Sequence, residues 1–154
     1  MIFLVYIPAV LTAYILQTTL LSGWPVRPDL LLIVFCFCLS GRSSKALLAG
    51  VLTGLFLDMV NGYGFYNTVL YSLVGLLCGF MPVSIFRDLQ SLAFVNMIFG
   101  SLLLNVGYAI LSRISLGIFI FLPLLSYLIV VVLDLIFFWL IDLFFVKGKY
   151  GLDE

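Results

Sequence analysis

Six apolar runs separated by short links constrain this chain more than any other feature of its sequence. The runs span approximately residues 2–21, 29–41, 46–60, 65–81, 92–111 and 123–146. The links between them are rich in Gly, Pro and charged residues. A helix needs about 20 mostly apolar residues to cross the hydrocarbon core of a bilayer, so six spans use about 120 residues. We therefore predict a single multi-pass membrane domain over residues 1–154, an all-α bundle of six transmembrane helices.

The scarcity of charge supports the same prediction. Charged residues make up 9% of the chain and hydrophobic residues 65%, whereas a soluble domain carries charge on about a quarter of its positions. A folded chain with so few charges cannot present a polar surface to water, so we expect lipid to surround it. The 7 basic and 7 acidic residues balance, which gives no sign of nucleic-acid binding.

The first three runs need separate interpretation. The N-terminal run lacks the basic region and small-residue cleavage site of a secretory signal, so we interpret it as a retained first helix. The second and third runs are short for full crossings. A re-entrant hairpin formed by them would place Arg42 and Lys45 at mid-bilayer, where each charge costs about 2.5–3.5 kcal/mol. Two full crossings, with slight local thinning of the bilayer, cost less free energy than placing these two charges at mid-bilayer. We therefore predict six spans.

The basic residues of the links divide unequally between the two sides of the membrane. Five lie on the side of the N-terminus and two on the other side: Arg42, Lys45, Arg87, Lys147 and Lys149 against Arg27 and Arg113. Loops that face the cytoplasm carry an excess of Lys and Arg. The distribution predicts that both termini are cytoplasmic.

Small residues recur at helical spacing on several runs. On the third run they form one stripe, Ala46, Gly50, Gly54 and Asp58, with a step of four residues. The pairs Gly75-xxx-Gly79 and Ala9-xxx-Ala13 repeat the theme on the fourth and first runs. Small residues at this spacing let two helices approach closely in a bilayer. We expect these positions to serve helix packing or the binding of a partner helix.

Polar residues inside the apolar runs are the next candidates. Asp58 has two interpretations that the sequence leaves open, a pocket or subunit contact, or a cap for the turn at 61–64 or for the fourth helix. Asp134 is expected to form a buried hydrogen bond with Asn96, Asn105 or Tyr108. Neutral polar groups in membrane helices more often hold a bundle together than bind a ligand. The buried polar candidates are Asn67, Asn96, Asn105 and Asp134.

Nothing in the sequence indicates catalysis or metal binding. The chain has no histidine, the commonest general base and metal ligand. Cys36, Cys38 and Cys78 lie in apolar runs and are interpreted as small buried hydrophobic residues. The carboxylate motifs of intramembrane aspartyl proteases are absent, and Asp58 and Asp142 are expected near opposite sides of the membrane. We predict no enzyme activity, no catalytic or metal-binding residue and no cofactor.

Several segments between about residues 10 and 80 resemble one family. They are Leu16-Gln17-Thr18-Thr19-Leu20-Leu21, Arg27-Pro28-Asp29-Leu30-Leu31-Leu32-Ile33, Gly50, Gly54-Leu55-Phe56-Leu57-Asp58, Gly62, Gly64, Asn67 and Leu73-Val74-Gly75. In order and spacing they resemble the rod shape-determining MreD family. The positions that carry the resemblance are Gln17, Pro28, Asp29, Gly54, Asp58 and Gly62.

The resemblance implies a non-catalytic scaffold subunit of the bacterial cell-elongation complex, which organises peptidoglycan synthesis and cell shape. It places the chain in the bacterial cytoplasmic (inner) membrane. The implied partners are MreC, through a transmembrane helix contact, and MreB, RodA and a class B penicillin-binding protein, directly or indirectly. Membrane lipid and a second copy of the chain are further implied contacts. One small-residue face would receive the MreC helix.

The resemblance also implies a six-helix fold with a central cavity, similar to that of the substrate-binding subunits of energy-coupling-factor vitamin transporters. Such a subunit is the alternative function. The pair Ala9-xxx-Ala13 favours it, because that class uses such a motif to dock on its coupling subunit. The Pro28-Asp29 and Asp58 neighbourhoods and the short outer loops favour the scaffold.

Overall fold

The computed structural model describes residues 2–25, 27–41, 43–62, 64–81, 89–118 and 123–143. These residues contain six α-helices and no strand. The helices are α1 (Ile2–Thr19), α2 (Leu30–Leu39), α3 (Ser43–Asn61), α4 (Tyr66–Phe80), α5 (Leu89–Leu116) and α6 (Leu124–Asp142). The all-helical class predicted from the apolar runs is confirmed.

The helix ends differ from the predicted bounds in two places that matter. Helix α3 begins at Ser43, before the predicted start at residue 46. Helix α5 continues to Leu116, beyond the predicted end at residue 111. The predicted end of the last helix, at residues 144–146, lies outside the described residues.

Three helices are long and apolar enough to cross a membrane, over Ser44–Asn61, Leu89–Leu116 and Leu124–Asp142. Three further apolar segments, Val5–Thr19, Leu30–Leu39 and Tyr66–Phe80, are shorter. The chain is therefore a helical membrane protein. The shortest helix, α2, has 10 residues and a length of about 15 Å at 1.5 Å per residue.

Helix α2 forms the centre of the bundle. It contacts each of the other five helices, and its residues Leu32, Ile33, Phe35, Cys36 and Leu39 are fully buried. Its sequence is apolar on every side, and a helix of that kind is stable when neighbours cover its whole circumference. Because protein covers most of the surface of α2, leaving one side half-buried, the helix does not have to match the thickness of the lipid.

Helices α3 and α4 form the closest pair. The small-residue stripe of α3 faces α4, where a Cβ atom added at Gly54 would lie 2.7 Å from the backbone nitrogen of Thr68. On the other side of the contact, a Cβ atom at Gly75 would lie 2.5 Å from the carbonyl oxygen of Ala46. The backbones approach so closely because neither glycine has a side chain. Gly62, at φ +69°, ends α3 in a conformation that favours glycine.

This packing corrects one expectation. The face of α3 was expected to receive the transmembrane helix of a partner, but α4 already covers it. The sequence shows where a close approach is possible and does not show which helix makes it. A partner helix has to use another surface of the bundle.

Helices α1 and α6 pack at the outside. The Tyr6 hydroxyl of α1 lies 2.5 Å from the Thr53 hydroxyl of α3, and Ala13 is buried while Ala9 is half-buried. In the described part of α6, the buried residues are Asp134 and Phe138. Most of the apolar surface of α6 therefore faces outward, as expected of a helix in contact with lipid.

Candidate functional site

A polar cavity of about 320 Å³ lies at the end of the bundle where α1 and α3 end and α2 and α4 begin. Residues from five helices and from the link before α2 line it: Tyr14, Gln17, Thr18, Arg27, Asp29, Leu31, Leu57, Asn61, Asn67, Tyr71 and Tyr108. Among these, Thr18, Arg27 and Asn61 are exposed, so the cavity opens at the end of the bundle.

A second cavity of about 310 Å³ adjoins the first. Its lining residues are Asp29, Ser101, Leu104, Asn105, Tyr108, Tyr127 and Val130. Asp29 and Tyr108 line both cavities and form the wall between them. The two cavities together place Asp29 at the centre of the polar region.

Asp29 is held by the start of α2. Its carboxylate accepts a hydrogen bond from the backbone N–H of Leu32 at 3.2 Å, which makes it the N-cap of the helix. Aspartate is among the residues preferred at this position. The preceding residue, Pro28, is fully buried and fixes the chain as it enters the helix.

Asp134 on α6 approaches Asp29 from the other side. Its Oδ1 accepts a hydrogen bond from the backbone N–H of Asp29 at 2.6 Å. Its Oδ2 is buried and has no hydrogen-bond partner among the described residues. The first N–H groups of a helix have no partner within the helix and attract a carboxylate.

The predicted hydrogen-bond partners of Asp134 were wrong. Asn96 donates instead to the Ser40 hydroxyl at 3.0 Å, and the Tyr108 hydroxyl donates to Oδ1 of Asn67. Asn105 is buried and lines the second cavity. The backbone N–H of Asp29 has no partner within α2, and it is the group that donates to Asp134 instead of these side chains.

Asp58 accepts four hydrogen bonds from the first turn of α4. Its Oδ1 accepts from the backbone N–H and the side-chain Nδ2 of Asn67, at 3.0 and 2.9 Å. Its Oδ2 accepts from the backbone N–H and the hydroxyl of Thr68, at 2.8 and 2.6 Å. Of the two interpretations of Asp58, the structure shows the cap of the fourth helix. Asn67 also accepts from Tyr108, so Asp58 supports the cavity wall indirectly.

Gln17 is the cavity residue with an unused acceptor. Its Oε1 is buried and has no hydrogen-bond partner in the part of the chain that the structure describes. Most buried polar atoms in proteins have a partner, and one that does not requires a specific explanation. The side chains of Tyr14, Tyr71 and Tyr108 complete the wall around it.

The structure brings together some of the residues singled out in the sequence and separates others. Gln17, Asp29 and Asn67 line the first cavity. The packing residues Gly50, Gly54 and Gly75 belong to the α3–α4 contact, and Gly79 is half-buried on α4. Asn96 is paired with Ser40, away from both cavities.

The sequence does not indicate that four of the cavity residues belong to one site: Arg27, Asn61, Tyr71 and Tyr108. The two tyrosines, Tyr71 and Tyr108, could have been recognised as candidates, because a tyrosine within a membrane helix needs a hydrogen-bond partner for its hydroxyl. This requirement gives no information on which helix supplies that partner. Arg27 is distinguished in the sequence by its charge and by its place before Pro28-Asp29.

The buried cysteines form a separate contact. The Sγ atoms of Cys36 on α2 and Cys78 on α4 lie 3.8 Å apart, and both thiols are free. Within the described ranges, no group of three or more potential metal ligands occurs.

No protein-family model, no curated protein and no solved structure matches this chain.

Proposed function

We propose that the chain is a non-catalytic scaffold subunit of the bacterial cell-elongation complex, of the MreD kind, and that it binds MreC. In this proposal it crosses the cytoplasmic membrane six times, with both termini inside. MreB, RodA and a class B penicillin-binding protein are direct or indirect partners in the same assembly.

The observation that carries the proposal is the arrangement around Asp58. All four of its hydrogen bonds join the end of α3 to the start of α4. This carboxylate, the last residue of the small-residue stripe, thus holds two helices together. A scaffold needs a rigid bundle of this kind, because it acts by presenting fixed surfaces to other membrane helices.

The six-span topology has support from the burial of α2 and from the exposed basic residues. Seven of the ten residues of α2 are buried and the other three are half-buried, so protein covers most of this short helix, which is about 15 Å long. Arg27 and Arg113, assigned to the outside, are both exposed, as is Lys45, assigned to the inside. Arg42, Arg87, Lys147 and Lys149 lie outside the described residues.

The test is co-purification with MreC from the same bacterium. A tagged form of the chain and untagged MreC are expressed together, extracted in mild detergent and passed over an affinity column. We expect MreC to elute with the chain in a constant ratio, while an unrelated single-span membrane protein does not. A monodisperse chain that retains no MreC would contradict the proposal.

The cavity beside Asp29 favours a second candidate, the substrate-binding subunit of an energy-coupling-factor vitamin transporter. A concave site with a few converging polar groups is typical of small-molecule binding. The two candidates differ in a simple measurement. Co-purification with a coupling subunit of such a transporter, together with a vitamin that raises the melting temperature, would favour the transporter over the scaffold.

A further inference from the structure

We infer that the cavity beside Asp29 binds a small zwitterion, with its primary ammonium group held by Asp29 and Gln17 and its anionic group held by Arg27. This inference goes beyond the scaffold role and does not depend on it, because the cavity exists whichever partner the subunit binds. The ligand is either a soluble zwitterion or the headgroup of a lipid that carries the same two charges.

Within the described ranges of the chain, hydrogen-bond acceptors without a partner lie in and behind the wall of the cavity. Oε1 of Gln17 is buried without a partner among the described residues, and Asp29 lines the same cavity. Behind Asp29, the side chain of Asp134 is 1% exposed, and its Oδ2 also lacks a partner in that part of the chain. Buried acceptors and carboxylates are stabilised by a cation that donates several hydrogen bonds.

Three tyrosine side chains form an aromatic part of the cavity wall. Tyr14, Tyr71 and Tyr108 line the cavity from three different helices. The face of an aromatic ring attracts a cation within about 6 Å, and more strongly in a desolvated site. Aromatic rings alone would suit a quaternary ammonium group equally well. A quaternary ammonium group has no N–H to donate to the unpaired acceptor of Gln17, however, whereas a primary ammonium group has three, so we assign the site to a primary ammonium group.

Arg27 lies at the opening of the cavity. It is exposed, and it is the basic residue among those that line the cavity. A guanidinium group binds a carboxylate or phosphate through two parallel hydrogen bonds. A volume of about 320 Å³ is at the small end of ligand sites, so the two charges of the ligand lie a few bonds apart.

The test uses two soluble probes that differ in the ammonium group. The full chain is purified in detergent, and its melting temperature is measured against increasing phosphoethanolamine or phosphocholine. We expect phosphoethanolamine to raise the melting temperature with saturation and phosphocholine, at equal concentration, to leave it unchanged. An equal response to both probes, or a response to neither, overturns the inference.

A second measurement identifies the source of the ligand. The chain is reconstituted in vesicles of equal parts phosphatidylethanolamine and phosphatidylcholine, and retained lipid is counted by native mass spectrometry. Preferential retention of phosphatidylethanolamine assigns the site to a lipid headgroup. A response to the soluble probe without lipid preference assigns it to a soluble zwitterion, and both outcomes support the inference.

Variants connect the response to the cavity. Asp29→Asn removes the negative charge but keeps an N-cap residue of equal preference for α2, and we expect it to weaken phosphoethanolamine binding about tenfold or more. Gln17→Leu, which removes the unpaired acceptor, is the second variant and tests the same site without changing α2.

Asp142→Asn is the matched control, because Asp142 ends α6 at the opposite end of the bundle and accepts a hydrogen bond from Gln90 at 2.5 Å. We expect it to bind the probe as the wild type does. Unchanged binding in both Asp29→Asn and Gln17→Leu, with wild-type melting temperatures, would overturn the assignment to this cavity.

Discussion

The carboxylate of Asp134 accepts a hydrogen bond from the backbone N–H of Asp29, with 2.6 Å between the two atoms and 105 positions between the residues. The bond joins α6 to the first turn of α2 at the centre of the bundle. In the described part of α6, Asp134 and Phe138 are the buried residues. Phe138 packs edge-on against Phe37 and Phe94. These two buried side chains join α6 to α2 and α5, and the hydrogen bond from Gln90 to Asp142 adds a contact at the end of the helix.

The first prediction concerns substitutions at Asp134. Asp134→Leu leaves the N–H of Asp29 buried without an acceptor and should lower the free energy of unfolding by about 1–2 kcal/mol. Asp134→Asn keeps an acceptor oxygen and should have a smaller effect. The free energy of unfolding is measured by denaturation with sodium dodecyl sulfate in mixed micelles.

Val132→Leu is the control for Asp134, because Val132 is exposed on the same helix. It should leave the stability unchanged. If Asp134→Leu is as stable as the wild type, the hydrogen bond to Asp29 does not hold α6.

The sequence predicts features that depend on neighbouring residues. The six helices follow from the lengths of the apolar runs, and the N-cap at Asp29 follows from the residue type before one run. The close packing of α3 involves the step of four residues between Ala46, Gly50 and Gly54. Each of these features is contained within a single helix or at its end.

The remaining features depend on how each helix is rotated about its axis. In a soluble protein the polar side of a helix indicates which side faces water and therefore how the helix is rotated. Helix α2 is apolar on all sides, so its sequence does not indicate its rotation. The pairs Asp134–Asp29 and Tyr108–Asn67 join residues that are 105 and 41 positions apart in the sequence. Such pairs, and the cavity that they surround, become visible once the helices are placed.

The second prediction concerns the α3–α4 contact. Gly54→Ala places a Cβ atom 2.5 Å from the carbonyl oxygen of Asn67 and 2.7 Å from the backbone nitrogen of Thr68. Backbone atoms cannot rotate away as a side chain can, so the helices must separate. We expect a loss of about 1–3 kcal/mol in the free energy of unfolding, measured by the same denaturation.

Gly23→Ala is the matched control for Gly54→Ala. A Cβ atom at Gly23 meets no atom within 4 Å, so the same chemical change should have little effect there. Equal stability of the two variants would show that α3 and α4 are not in close contact at Gly54.

The third prediction concerns the cap of α4. Asp58→Ala removes all four hydrogen bonds to Asn67 and Thr68 and should lower the free energy of unfolding by about 3 kcal/mol. Thr68→Val removes one of the four and should cost about 1 kcal/mol. Hydrogen exchange by mass spectrometry should show faster exchange at the start of α4 in Asp58→Ala.

Ser72→Ala serves as the control for the cap, because the Ser72 hydroxyl bonds to the carbonyl of Val69 within α4. It should leave exchange at the start of the helix as in the wild type. Wild-type exchange in Asp58→Ala as well would mean that Asp58 does not cap α4.

The fourth prediction tests the contact between α2 and α4 through its cysteines. The Sγ atoms of Cys36 and Cys78 lie 3.8 Å apart, and a disulfide needs about 2.05 Å, so small side-chain rotations suffice. Oxidation with copper phenanthroline in the membrane should form a Cys36–Cys78 disulfide, seen by intact mass and peptide mapping. Cys78→Ser should abolish it and Cys38→Ser should not. A disulfide that contains Cys38 instead would mean that a different side of α2 faces α4.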